Sequence, residues 1–192
     1  MDSFPLMPIR NQEPLIIERL RIAFPRNPFT IERVPQVLSL DEFKRVVKLS
    51  PFIGLAWTGM KPDADSGRML KGNNLWRLIL INRVSSGLEA RFKGDKFDIG
   101  MDAMVDVASV LFQGVSFDGQ GVTNITLSNS VIADGWTDDN VAIAQIDFTF
   151  SLACRAAATG KMQPEDFKAI GVTWSVNGST ETVTDELQPP QE

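Results

Sequence analysis

The spacing of apolar residues changes along this chain, and the changes divide it into elements. Ile16, Ile17, Leu20, Ala23 and Phe24 recur at helical spacing, which predicts an amphipathic helix from about Glu13 to Phe24. Pro14 falls in its first turn, where a missing N–H costs little, and Pro25 and Pro28 end it. Thr30 to Val37 reads as a short extended segment at a sheet edge, because Pro35 cannot donate to a ladder. Ser39-Leu40-Asp41-Glu42 has the spacing of a capping box, and a helix burying Phe43, Val46 and Val47 follows to about Leu49.

Phe52 to Thr58 reads as a strand, whereas the polar, Pro- and Gly-bearing run from Gly59 to Gly72 predicts a mobile loop. Leu75 to Val84 is apolar at nearly every position, as in a central strand covered on at least one face. A turn region from Ser85 to Gly94 precedes a helix from Asp98 to Phe112, whose apolar stripe is Met101, Met104, Val105, Ala108, Leu111 and Phe112. Gly114 to Gly121 is rich in turn residues, and strands follow from Val122 to Leu127 and around Val131. From Ala142 to Leu152 the alternation is strict, so one sheet face is covered and the other polar. Ile170 to Val176 and Ser179 to Val183 flank Asn177-Gly178, the signal of a hairpin with a primed turn. The residues from Thr184 onward, with two prolines and three acidic side chains, predict a disordered tail.

Helices early and antiparallel strands late predict an α+β fold: a mixed, mostly antiparallel sheet with helices packed on one face, plus a C-terminal hairpin arm. The expected organisation is a domain over 1–155, an arm over 156–183 and a tail over 184–192. A length of 192 residues with 43% apolar content supports one domain with a sizeable core.

The chain contains no histidine, which removes the commonest general base near neutral pH and the commonest zinc ligand. Cys154 is the only thiol, so neither a disulfide framework nor a cysteine metal cluster can form, and the chain reads as intracellular. At the end of an apolar strand, Cys154 itself reads as a small buried apolar residue. There is no phosphate loop, dinucleotide fingerprint or nucleophile elbow. Asp63-Ala64-Asp65-Ser66-Gly67 starts like a calcium loop, but Asn74 stands at the twelfth position where a bidentate glutamate is needed. The adjacent Asp138 and Asp139 belong to a turn-like sequence. No catalytic, cofactor-binding or metal-binding residue is expected, and the chain reads as a structural or interaction protein. Neither a signal-like amino terminus nor an apolar run long enough to span a bilayer is present, so no membrane partner is expected.

With 24 acidic and 19 basic residues the formal charge is −5, which disfavours general affinity for nucleic acid. Charge is also segregated, because no Lys or Arg lies between Lys96 and Arg155 while eight aspartates do. Asp98, Asp102 and Asp106 are four residues apart and share one helical face. That face is either simply solvated, or an acidic surface that docks a basic partner or keeps a passing polyanion from sticking. Trp57 and Trp76 are expected in the core, and Trp136 and Trp174 are candidate interface anchors.

Leu15-Ile16-Ile17-Glu18-Arg19-Leu20, Val141-Ala142-Ile143-Ala144-Gln145-Ile146-Asp147-Phe148 and the order of elements from Leu15 to Arg155 resemble the tail-terminator proteins of long-tailed bacteriophages. The likeness is to the terminator-like family of Mu-type phages. The resemblance implies a virion structural protein, assembled in the host cytoplasm. It would form a homo-oligomeric ring, a hexamer in that family, that caps the tail tube and ends its polymerisation. The ring would join the tail to a neck or connector protein, and DNA would pass through its lumen without specific binding. Asp98, Asp102 and Asp106 could then line that lumen. The alternatives are another neck or tail component (head-tail connector or tube subunit), a non-phage intracellular adaptor, and a carboxylate-only, metal-dependent hydrolase.

Overall fold

The computed structural model describes residues 8–64, 67, 69–84, 87–96, 98–117, 120–131, 140–155, 170–175 and 182–187. The chain divides into two units, Met1–Thr159 and Gly160–Glu192. In the first, α1 (Pro8–Arg21), β1 (Thr30–Arg33), α2 (Leu40–Val47), β2 (Phe52–Pro62), β3 (Met69–Arg83), α3 (Leu88–Lys93) and α4 (Met101–Phe112) lead to β4 (Val115–Phe117), β5 (Gly121–Ser130) and β6 (Val141–Arg155). The strands form a single sheet in the order β1-β2-β3-β6-β5-β4. Only β1 and β2 run parallel; every other pair is antiparallel. The fold is α+β, as the pattern predicts.

β3 and β6 are the central pair, in register from Met69↔Arg155 to Arg83↔Val141. Alternation sends Trp76, Leu78 and Leu80 of β3 and Ala142, Ala144, Ile146, Phe148 and Phe150 of β6 to one face, where they meet Ile16 and Leu20 of α1 and Met101, Met104, Ala108 and Phe112 of α4. Phe112 stacks on Phe148 with centroids 4.8 Å apart. Burial of side chains this large stabilises the fold by roughly 1.5–3 kcal/mol each.

The sequence reading put the helices on one face; α2 departs from this and covers the other. Val34, Phe43, Val46, Phe52, Ala56 and Ile81 form a second, smaller cluster there, with Ile79 and Ile143 packed against it. The cause lies in β2, which is buried at every position from Phe52 to Ala56 and so needs cover on both sides. Gly54 lets Val34 approach the sheet, because a Cβ on Gly54 would lie 2.8 Å from Val34 Cγ2.

Several boundaries differ from the sequence reading. α1 begins at Pro8 and runs through Pro14, because Gln12, Ile16 and Leu20 bury one side of it, and this outweighs a local penalty of about 3 kcal/mol. Residues 59–62 and 69–72 of the predicted loop are strand: β2 and β3 extend to Met60↔Asn74 and Pro62↔Gly72 beyond a bulge between Trp57 and Gly59. The bulge breaks the period, which hides the pairing from a reading of alternation. α3 occupies part of the expected turn region, braced by a Glu89–Lys93 pair at 2.8 Å. β4 forms inside the Gly114 to Gly121 stretch. α4 starts at Met101, so Asp98 precedes the helix rather than opening it.

In the second unit β7 (Ile170–Ser175) pairs antiparallel with β8 (Thr182–Leu187). The hairpin is the expected one, with Ser175 opposite Thr182; the predicted Asn177-Gly178 turn lies outside the described residues, and the register is two residues away from the one that turn would give. A two-residue turn would set Glu181 opposite Trp174 and Asp185 opposite Ile170; the observed register sets Val183 and Leu187 there instead. β8 also carries the strand to Leu187, into residues expected to be a disordered tail.

Candidate functional site

Among the described residues a buried polar network is centred on Gln12 of α1. Its Oε1 accepts from Asn74 Nδ2 at 2.8 Å and from Trp76 Nε1 at 3.1 Å, and Trp57 Nε1 donates to Asn74 Oδ1 at 3.4 Å. Gln12, Asn74 and Trp76 are all essentially inaccessible. Gln12 Nε2 has no hydrogen-bond partner among the described residues. The network fixes α1 to the middle of the sheet but contains no group able to transfer a proton near neutral pH. Sequence reasoning missed it, although a glutamine one turn before Ile16 and Leu20 on the apolar stripe was the available signal.

On the face that α2 only partly covers, Arg77 and Asp147 form a bidentate pair across β3 and β6, with Nε–Oδ1 2.7 Å and Nη2–Oδ2 2.9 Å. The hydrogen bonds to Asp147 hold the guanidinium above its ordinary value, against a smaller opposing effect of burial. Gln145 Nε2 also donates to Asp147, at 3.0 Å. Beside this pair lies an apolar groove of about 340 Å³, walled by Leu38, Phe43, Ile79, Ile81 and Ile143. Neither carboxylate–base pairs nor a thiol with a partner base line it. Among the described residues no group of three or more His, Cys, Asp or Glu side chains is placed to hold a metal ion. Cys154 is buried, as the sequence implies. No described helix is long and apolar enough to cross a membrane.

The surface is more informative than the cavities. Strands β1 to β3 carry Arg33, Lys61, Lys71, Arg77 and Arg83 against Glu32, while β4 and β5 carry no charge and, among the described side chains, β6 carries Asp147. The order β1-β2-β3-β6-β5-β4 therefore turns a charge division along the chain into a polarity across the sheet. Of the predicted acidic row, Asp102 and Asp106 stand exposed on α4, facing Ser128, Asn129 and Ser130 across a cleft of about 410 Å³. Asp98 is separated from them: it lies half-buried before the helix, where its N–H donates to Asp95 Oδ1 at 3.0 Å. Trp136 lies outside the described residues, and Trp174 is placed on β7 by its backbone. Trp76 is fully buried and Trp57 partly so, in line with their expected core positions.

Two further exposed rows were not singled out in the sequence. α4 continues past Asp106 to Val110, 75% exposed, and α2 presents Leu40, 46% exposed, followed by the exposed Lys44 and Lys48. Their signal is a spacing of four residues with no burial to explain it.

No protein-family model and no curated protein sequence matches the chain.

Proposed function

We propose that this chain is a phage virion structural protein that forms a homo-oligomeric ring on the end of the tail tube. The ring stops tube polymerisation and joins the tail to the neck or connector, and DNA passes through it without specific binding. The observation that carries this reading is the order of elements. The segments that resemble tail terminators, Leu15 to Leu20 and Val141 to Phe148, fall on α1 and β6, which build the main core. Exposed apolar side chains at Val37, Leu88 and Val110 add support, because such positions suit a surface that is covered on assembly. In this reading the chain works by stoichiometric binding; none of its residues performs chemistry, and no cofactor is needed.

The test is the mass and shape of the purified protein by light scattering and negative-stain microscopy, over a range of concentrations and with tail-tube protein added. Closed rings that cap tubes and limit their length are expected. A protein that stays monomeric even with tubes present would refute the reading. Open-ended polymers would instead mark a tube subunit.

A further inference from the structure

We infer that copies of this chain join head to tail through α2 of one and α4 of the next, packed antiparallel. This deepens the ring reading and rests on it for self-assembly. Each helix leaves one row of residues unpartnered at the same spacing. On α2 and its C-cap the row is Leu40, Lys44 and Lys48; on α4 it is Asp102, Asp106 and Val110. All six are exposed, and none of the four charged residues forms a salt bridge among the described residues.

Placed antiparallel, the rows are complementary in chemistry and in step. Leu40 meets Val110, Lys44 meets Asp106 and Lys48 meets Asp102. Successive members of each row are about 6 Å apart along the axis, so the three contacts stay in register. Rows of this spacing on two helices interdigitate at a crossing angle of about −50°, the commonest helix packing in globular proteins. Other charges near the rows do not cancel them: Arg45 is engaged by Glu32 and Glu42, and Lys93 of α3 by Glu89. Asp41, exposed one turn before Lys44, forms no salt bridge with it among the described residues and offsets one of the two cations in part.

The two helices lie on opposite faces of the sheet, α2 over β2 and β3 and α4 over β6 and β5. A contact between them is therefore heterologous, using a different surface on each copy. Such a contact propagates from copy to copy and closes into a ring when the rotation permits. On this assignment Asp102 and Asp106 hold the next subunit rather than face the lumen.

The experiment uses two charge-reversed full-length proteins, D102K/D106K and K44D/K48D, each checked by circular dichroism and thermal melting. Sedimentation velocity then follows assembly of each alone and of the equimolar mixture. Each alone faces like charges at every contact, so the concentration needed for assembly should rise by about tenfold or more. In the mixture every contact is again between opposite charges, so alternating copies should reassemble. Two folded variants that assemble like wild type, or a mixture that stays monomeric, would overturn the contact while leaving the ring of the wild type intact. Variants that still form rings but now retain double-stranded DNA would overturn it in favour of a lumen position for the acidic row. A wild-type protein that never assembles removes the ring reading and this contact together. If a charge-reversed protein does not fold, L40D and V110D at the exposed apolar ends replace it, and unchanged assembly in both overturns the contact.

Discussion

Replacing Gln12 with Met, which keeps the length and approximate shape of the side chain, removes the acceptor at the centre of the buried network. Asn74 Nδ2 and Trp76 Nε1 each lose their bond to Gln12 Oε1 while remaining out of reach of water. A buried donor left without a partner costs roughly 1–3 kcal/mol, so the two together cost roughly 2–6 kcal/mol. The substitution also removes Gln12 Nε2, itself a buried donor without a partner among the described residues, and so returns roughly 1–3 kcal/mol. The net expectation is a loss of about 1–3 kcal/mol. With a denaturant slope of about 2 kcal/mol/M, the urea midpoint falls by about 0.5–1.5 M. Urea titrations followed by tryptophan fluorescence and by far-UV circular dichroism give the midpoint and test whether the transition is two-state. A midpoint equal to or above wild type, with an unchanged slope, would show that the network contributes nothing net. A double-mutant cycle with Trp76→Phe should give a coupling of about 0.5–3 kcal/mol, because the two side chains share one hydrogen bond.

Three other outcomes follow from the geometry. Gly54→Ala should destabilise the fold by roughly 1–3 kcal/mol in the same titration, because the new Cβ would sit 2.8 Å from Val34 Cγ2 and 3.1 Å from Phe52 Cε1. Ser39→Ala removes the hydroxyl that accepts from the Glu42 N–H at 3.3 Å and should lower stability by about 0.5–2 kcal/mol, read as a shift in melting temperature. Arg77→Gln should cost about 1–3 kcal/mol, a figure reduced for a pair whose side chains remain 25% and 23% exposed. The sign of its pH dependence is fixed by the upward shift of the guanidinium. Its contribution is complete below the ordinary arginine value and fades only in strongly alkaline solution, so the difference from wild type should stay constant from about pH 6 to 9.

The hydrophobic pattern by itself determined the main architecture. Strict alternation from Ala142 to Leu152 and the largely apolar run from Leu75 to Val84 mark the two long central strands, since a period of two can bury a face only in a sheet; that they pair with each other is decided by the fold. Ser39 was legible as a helix cap because the interaction is local; its predicted reciprocal partner was not, for Glu42 turns to Arg45 instead. The acidic composition of α4 and the lone buried cysteine were equally open to reading.

What needed the tertiary structure was every feature set by residues distant in the chain. Pro14 remains helical because of burial against the sheet, which local propensity does not register. The hairpin joining β2 and β3 is held by cross-strand bonds through a bulge that disrupts the alternation. α2 lies opposite α1 and α4 because β2 requires cover on both faces. The sequence contains both the cationic row from Leu40 to Lys48 and the acidic row from Asp102 to Val110, but only the folding of α2 and α4 onto opposite faces of one sheet places them as the two sides of the proposed contact.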